Sequence, residues 1–257
     1  FLIAAICGNL GASLHSVDRI PEALEVLEEG AAVARQGLAH LVIHLFANIG
    51  SLQFVTGRTD EAIKTYKDIL PVAREFGIIF VPIINLELAD IYTNLGRFDD
   101  ALEQYREAQK LRNSLAPSDA RRLDLSGAFI AYRMNDPVGL QVSLTNAFSD
   151  IVMADVPFAV MTELLVGVAR IVVWLIETGH TVDACALFLV LERCFGMGNV
   201  ATSRLIETTQ MTREDIEALL SAEDLAMAHE RAAQVDPNNV FLYVLQLLPT
   251  LLSSMHI

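Results

Sequence analysis

Cysteine is scarce in this chain: three residues out of 257, at positions 7, 185 and 194. An odd number without a Cys-x-x-Cys spacing argues against a disulfide scaffold or a cysteine zinc site and fits a reducing compartment. Basic residues are also few, with 18 Lys and Arg against 32 Asp and Glu, a formal charge of −14. So acidic a surface is poorly suited to gripping phosphate backbones, and no direct nucleic-acid contact is expected. Uncharged apolar runs of membrane length are missing despite a mean hydropathy of +0.42. The most apolar stretch, 158–178, carries Glu163, Arg170 and Glu177. No uncharged run within it approaches the roughly 20 residues a span requires, so it reads as a buried helix and no membrane partner is expected. A basic leader with a small-residue cleavage site is missing as well. The chain opens on Phe1-Leu2-Ile3-Ala4-Ala5-Ile6, already in a helical pattern and without an initiator Met, which suggests a domain of a longer cytosolic protein. Aromatics are 7% of residues, yet hydrophobic residues are 53% and charged ones 19%, enough to build a core and to exclude disorder.

What the chain does have is an internal repeat. The windows 9–30, 48–69 and 87–108 align without gaps. Small residues Gly11, Gly50 and Ala89 fall 39 apart, as do Ala23, Ala62 and Ala101, and the glycines Gly57 and Gly96. Each copy reads as two antiparallel helices, A and B. Helix A carries Leu10 and Leu14, then Ile49 and Phe54, then Leu88, Ile91 and Tyr92, close to one-face helical spacing. Gly57 and Gly96 supply the left-handed residue that ends helix A. Thr59 or Asp60, and Asp99, are placed to cap helix B. Pro21 stands where helix B of the first copy begins, a position that tolerates proline. One helix pair cannot bury its apolar face alone, and stacked pairs can.

This pattern resembles the tetratricopeptide repeat (TPR) family. The third copy carries it best, through Leu88-Ala89, Tyr92, Gly96, Ala101, Tyr105 and Ala108; Gln53 replaces the helix A aromatic in the second, and Asp18 replaces the turn glycine in the first. A period of 39 instead of the usual 34 resembles the long TPR arrays of bacterial signal-transduction ATPases and maltose-type transcriptional activators. It also resembles the peptide binders of the kinesin light chain and G-protein-regulator group. The resemblance implies an all-α TPR-like superhelix of five to six antiparallel helix pairs.

Beyond residue 113 the pattern fades. Residues 1–113 read as three clear repeats, 114–195 as two degenerate helix pairs, and 196–257 as a linker and a C-terminal helical cap. The first degenerate pair should turn at Asn135-Asp136, with Pro137 opening its second helix; the next should pair 158–178 with 181–195 around Gly179-His180. Residues 196–203 read as the linker. Thr212 to Asp215 and Ser221 to Asp224 have capping-box spacing. The last apolar helix, from Val240 to Leu252, should break at Pro249. It is either a cap or a face for a homodimer.

No residues assemble a reaction centre. Gly196-Met197-Gly198-Asn199 lacks the strand and the Lys-Ser/Thr of a phosphate loop, and no Gly-x-Ser-x-Gly elbow occurs. His40 and His44 share a helix face but have no Glu between them and no third ligand, so no metal is expected. Cys185 and Cys194 read as buried hydrophobes. No catalytic residue and no cofactor is expected.

In a TPR superhelix the residue two before the small Gly or Ala points to the concave side, which gives Asn9, Asn48 and Glu87. An asparagine amide donates and accepts, so it can bracket one peptide unit of an extended chain. The alternative is a simple polar helix face. The same register adds His15, His44, Ser51, Phe54, Asp90, Asn94, Arg122, Phe129, Tyr132 and Arg133. The lysine of a carboxylate clamp is replaced by Gly8, so capture of a chaperone tail is not expected. The resemblance implies a non-catalytic protein–protein interaction module that binds a peptide or a partner domain in the groove. It would be the sensor or scaffold of a larger cytosolic, bacterial regulator of transcription or signalling. A free-standing peptide adaptor and a small-molecule-binding helical array are the alternatives.

Overall fold

The computed structural model describes residues 2–16, 19–35, 37, 39–149, 151, 158–197 and 203–255. Every regular element among them is a helix. In order they are α1 (Leu2–Ser16), α2 (Ile20–Ala34), α3 (Ala39–Val55), α4 (Thr59–Phe76), α5 (Val81–Asn94), α6 (Phe98–Lys110), α7 (Pro117–Arg133) and α8 (Pro137–Phe148). There follow α9 (Phe158–Glu177), α10 (Thr181–Met197), α11 (Ser203–Thr209), α12 (Arg213–Glu217), α13 (Ala222–Gln234) and α14 (Val240–Ser253). Short 3-10 turns precede α5, follow α6 and precede α14. The chain divides into two compact units, residues 1–126 and 127–257. The architecture is the expected all-α, TPR-like helical repeat.

Within the first unit the A helices α1, α3 and α5 alternate with the B helices α2, α4 and α6, each packing on the next. The turn from A to B closes on the same backbone bond each time. Gly57 and Gly96 have φ of +77° and +70°. Past them, Arg58 N–H donates to the Gln53 carbonyl at 2.8 Å and Arg97 N–H to the Tyr92 carbonyl at 2.9 Å. That is the long bond of a Schellman C-cap, which satisfies a carbonyl the helix end leaves open. Arg19 N–H makes it to Leu14 at 2.9 Å in the first copy. Asn135 (φ 56°) and Gly179 (φ +83°) take the same place in the second unit, with Asp136 donating to Ala131 and His180 to Leu175.

The expected caps Thr59, Asp60 and Asp99 do not cap. The C-cap bond pulls the start of helix B one or two residues earlier, so Arg58 and Arg97 hold the N-cap position without a side-chain cap bond. Thr59, Asp60 and Asp99 fall inside the first turn, where the acids still oppose the helix dipole. Arg19, Arg58 and Arg97 instead each reach an acid three residues on: Glu22, Glu61 and Asp100. These exposed pairs contribute little stability. In α8 a true cap replaces them: Asp136 accepts from Gly139 N–H at 2.9 Å.

Close approach of A and B rests on a small residue facing a large one. A Cβ on Gly11 would lie 2.5 Å from Leu27 Cγ, and one on Gly50 would lie 2.8 Å from the Tyr66 ring. Tyr66 is fully buried, and its phenol donates to the Ala47 carbonyl at 3.1 Å. The next counterparts, Ala89 with Tyr105 and Ala128 with Leu144, keep the same separation along the chain. Beneath α7 the buried Asp124 carboxylate takes two hydrogen bonds from the Arg112 guanidinium, at 3.2 and 2.6 Å. Asn85 is also buried, and neither end of its amide meets a partner among the described residues.

In the second unit α9 pairs with α10. Leu164, Leu165, Val168, Ala169, Val172 and Leu175 are all buried, which accounts for the apolar stretch. Among the described residues no helix is long and apolar enough to cross a membrane. Cys185 and Cys194 are buried free thiols, which burial pushes up to about 11 and about 12. The linker expected at 196–203 lies largely outside the described residues. Thr212 and Asp215 form a full capping box, and Ser221 caps α13. α14 packs on α8, α9 and α10, with Phe241 stacked on Phe148 at 5.3 Å. Pro249 does not break it, contrary to expectation: the helix runs on to Ser253. Buried Val244, Leu247, Leu248 and Leu251 hold both sides of the missing hydrogen bond in place.

Two glycines of α1 separate helix propensity from packing. Gly8→Ala places its methyl 3.5 Å from Leu45, ordinary contact, and should stabilise the chain by about 0.5–1 kcal/mol. Gly11→Ala gains the same propensity but collides with Leu27, and should destabilise by about 1–2 kcal/mol net. Urea unfolding of both variants checks this; equal shifts would contradict it.

Candidate partner-binding face

On a helix, two residues span about 200° of rotation. Position 50 of α3 faces Tyr66 of α4, so Asn48 faces away from the B helix. The same holds for Asn9, opposite the Gly11–Leu27 contact. Asn9 is exposed and Asn48 half-buried, and neither side-chain amide has a hydrogen-bond partner among the described residues. His44, one turn before Asn48, is exposed and lies beside Gly8 of α1. His15 is exposed; Ser51 and Phe54 are half-buried on α3.

The next two rungs are wired to each other. Arg122 of α7 donates to Glu87 Oε1 at 2.7 Å and to Asp90 Oδ2 at 3.0 Å, both on α5. Ser126, the counterpart of Glu87 in the next copy, donates to Asp90 Oδ1 at 2.5 Å. One planar guanidinium thus bridges two carboxylates, a geometry lysine cannot reproduce. The group keeps a net charge of −1. All three charged side chains are 21–28% exposed, so their attraction is only partly screened. Burial, reinforced by Glu87, pushes the Tyr66 phenol far above its usual range and keeps it neutral. Asn94 is exposed and folds back on its own helix, donating to the Asp90 carbonyl at 2.7 Å.

The remaining expected residues belong to the second unit and form a separate cluster. Tyr132 stacks on the buried Trp174 at 4.5 Å and donates to Glu177 Oε2 at 2.9 Å. Burial first, then the Glu177 carboxylate, pushes its phenol up. Arg133 lies 3.7 Å from Glu177 and over Phe129 at 5.5 Å. Arg170 covers Phe129 at 5.0 Å. The expected set therefore gathers as Asn9, His44, Asn48, Phe54, Glu87, Asp90, Asn94 and Arg122 in one unit, and Tyr132 and Arg133 in the other.

One concavity escapes a reading of the sequence. A cleft of about 480 Å³ lies between α3 and α4, floored by Val42, Phe46, Ile69 and Val72 and rimmed by two cations, Arg35 and Lys64, and two acids, Glu61 and Asp68. Arg35 lies 4.9 Å over the Phe46 ring. At one end Thr65 donates to Gln53 Oε1 at 2.7 Å. Phe46 precedes Asn48 by two residues, so the cleft opens on the opposite face of α3. The available signal is Phe46, an aromatic in the register of Cys7 and Asn85. Among the described residues no group of three His, Cys, Asp or Glu is placed to hold a metal.

A tetratricopeptide repeat family model matches residues 84–115, which span α5 and α6. The chain thus carries a tetratricopeptide repeat at the helix pair bearing Glu87, Asp90 and Asn94. No curated protein matches the chain. Tetratricopeptide repeats as a class mediate protein–protein interaction.

Arg122→Ala should lower stability by about 1–2 kcal/mol, since it leaves Glu87 and Asp90 facing each other half-buried. Arg122→Lys should recover less than half of the loss. Urea midpoints check both; an unchanged Arg122→Ala midpoint would remove the network from the account.

Proposed function

We propose that the A-helix face of the first unit receives an extended segment of a protein partner. The supporting observation is the pair of unengaged amides, Asn9 and Asn48, which stand one repeat apart in one register. Each can pair with one peptide unit, so the grip falls on backbone and tolerates varied sequence. Glu87 and Asp90, which exceed their one arginine by a charge, favour a lysine or arginine in that segment. The chain's −14 charge speeds the approach of such a basic segment. On this reading the chain is non-catalytic and acts as the sensor or scaffold part of a larger cytoplasmic regulatory protein. Occupancy would shift that protein between states only by the difference in affinity for each.

The experiment is selection from a random displayed-peptide library on the immobilised chain. Enriched peptides should contain a basic residue and lose about tenfold in affinity, roughly 1.4 kcal/mol, against Asn48→Ala, with its urea midpoint unchanged. Peptides that bind the wild type and an Asn9→Ala/Asn48→Ala chain equally would refute the reading.

A further inference from the structure

Leu14, Gln53, Tyr92 and Ala131 hold one register of the A helices, and all four are buried. Three carry a core side chain, and Gln53, 7% exposed, carries an amide. A buried amide is costly unless both of its ends find partners. The Gln53 oxygen accepts from Thr65 Oγ1 at 2.7 Å. Its nitrogen meets no partner among the described residues and, unlike the sealed amide of Asn85, is not shut into the core. It opens on the cleft between α3 and α4 that Gln53 lines. The Gln53–Thr65 bond marks one end of that cleft, and because the two helices run antiparallel, Val42 and Val72 mark the other. Lys64 and Asp68 stand one turn apart on the rim, yet neither makes an ion pair among the described residues. Glu61 is held by Arg58 at 3.5 Å.

We propose that this cleft binds a free α-amino acid with an aromatic or large apolar side chain. Its carboxylate accepts from the Gln53 amide and pairs with Lys64, and its ammonium pairs with Asp68. Its side chain lies on Phe46, Ile69 and Val72. Arg35, 4.9 Å over the Phe46 ring, closes the far end and favours a second aromatic ring there. The rim charges select the ligand class. A lone carboxylate meets Asp68 and a lone amine meets Lys64, each with like charge. A zwitterion pairs with both, and being neutral it is not repelled by the chain's −14 charge. A residue inside a peptide carries neither charge, so this site is distinct from the A-helix face across α3. The cleft's 480 Å³ falls within the roughly 300–1,000 Å³ of small-molecule sites.

NMR titration of the whole chain tests the proposal with L-phenylalanine, its decarboxylated amine phenethylamine and its deaminated acid 3-phenylpropanoate. Phenylalanine should bind with a Kd of about 1 mM or below, and the amine and the acid each about tenfold more weakly or worse. Gln53→Leu, which installs a core side chain like those of the other copies, should weaken phenylalanine about tenfold without lowering the urea midpoint. Asp68→Asn should weaken phenylalanine but tighten 3-phenylpropanoate, an inversion that damage to the fold does not produce. Asn48→Ala, on the other face of α3, should leave all three unchanged. The proposal is overturned if phenylalanine does not bind, or if the amine or the acid binds as well as it does. It is overturned equally if Gln53→Leu binds phenylalanine like the wild type, if Asp68→Asn weakens the acid too, or if Asn48→Ala weakens phenylalanine as much as Gln53→Leu.

Discussion

A large side chain of the B helix seated on a small residue of the A helix governs the first unit. Leu27 on Gly11 and Tyr66 on Gly50 bring the helices of a pair within backbone reach. Close packing leaves no slack for a second methyl there, since protein interiors are as dense as organic crystals. Once that contact fixes the rotation of the A helix, its other faces are assigned. The face at positions 45 and 84 goes to the neighbouring B helix. The face at 9, 48 and 87 goes to neither, and stays free for polar residues.

The proposed function follows from that free face. Its first two rungs are uncommitted asparagines, and its last two are tied through Arg122 and Asp90. The arrangement makes one end adaptable and the other rigid and negative. The cleft floored by Phe46 lies on the far side of α3 and presents a different chemistry: an apolar floor with a rim of mixed charge. The Tyr132–Trp174–Glu177 cluster belongs to the other unit and is bound up in its own packing.

Legibility in the sequence tracks how local each feature is. The small residues recur in every clear copy and the turn glycines in the second and third, so both are readable, and Asn135 and Gly179 carry the same turn into the fading half. The caps mislead because Thr59, Asp60 and Asp99 are cap-type residues, while the C-cap bond of the preceding helix decides where the next one starts. Arg19, Arg58 and Arg97, with their acids three residues on, are visible in the sequence once the turn geometry shows what they join. Pro249 misleads because burial of its neighbours outweighs one lost hydrogen bond. The Arg122 bridge to Glu87 on another helix is not legible: periodicity places residues on a face but not which charges on it meet. Asn85 and Asp124 share a column with Phe46, and nothing in their identity says that one is paired and the other is not.

The most direct test is a double-mutant cycle between positions 50 and 66, read by urea unfolding. With Tyr66 present, Gly50→Ala should destabilise, because its methyl meets the ring. In a Tyr66→Ala background the same change should stabilise, through helix propensity alone, giving a coupling of about 2 kcal/mol. Additive effects at the two positions would contradict the account, because the contact would then not set the approach of the helices.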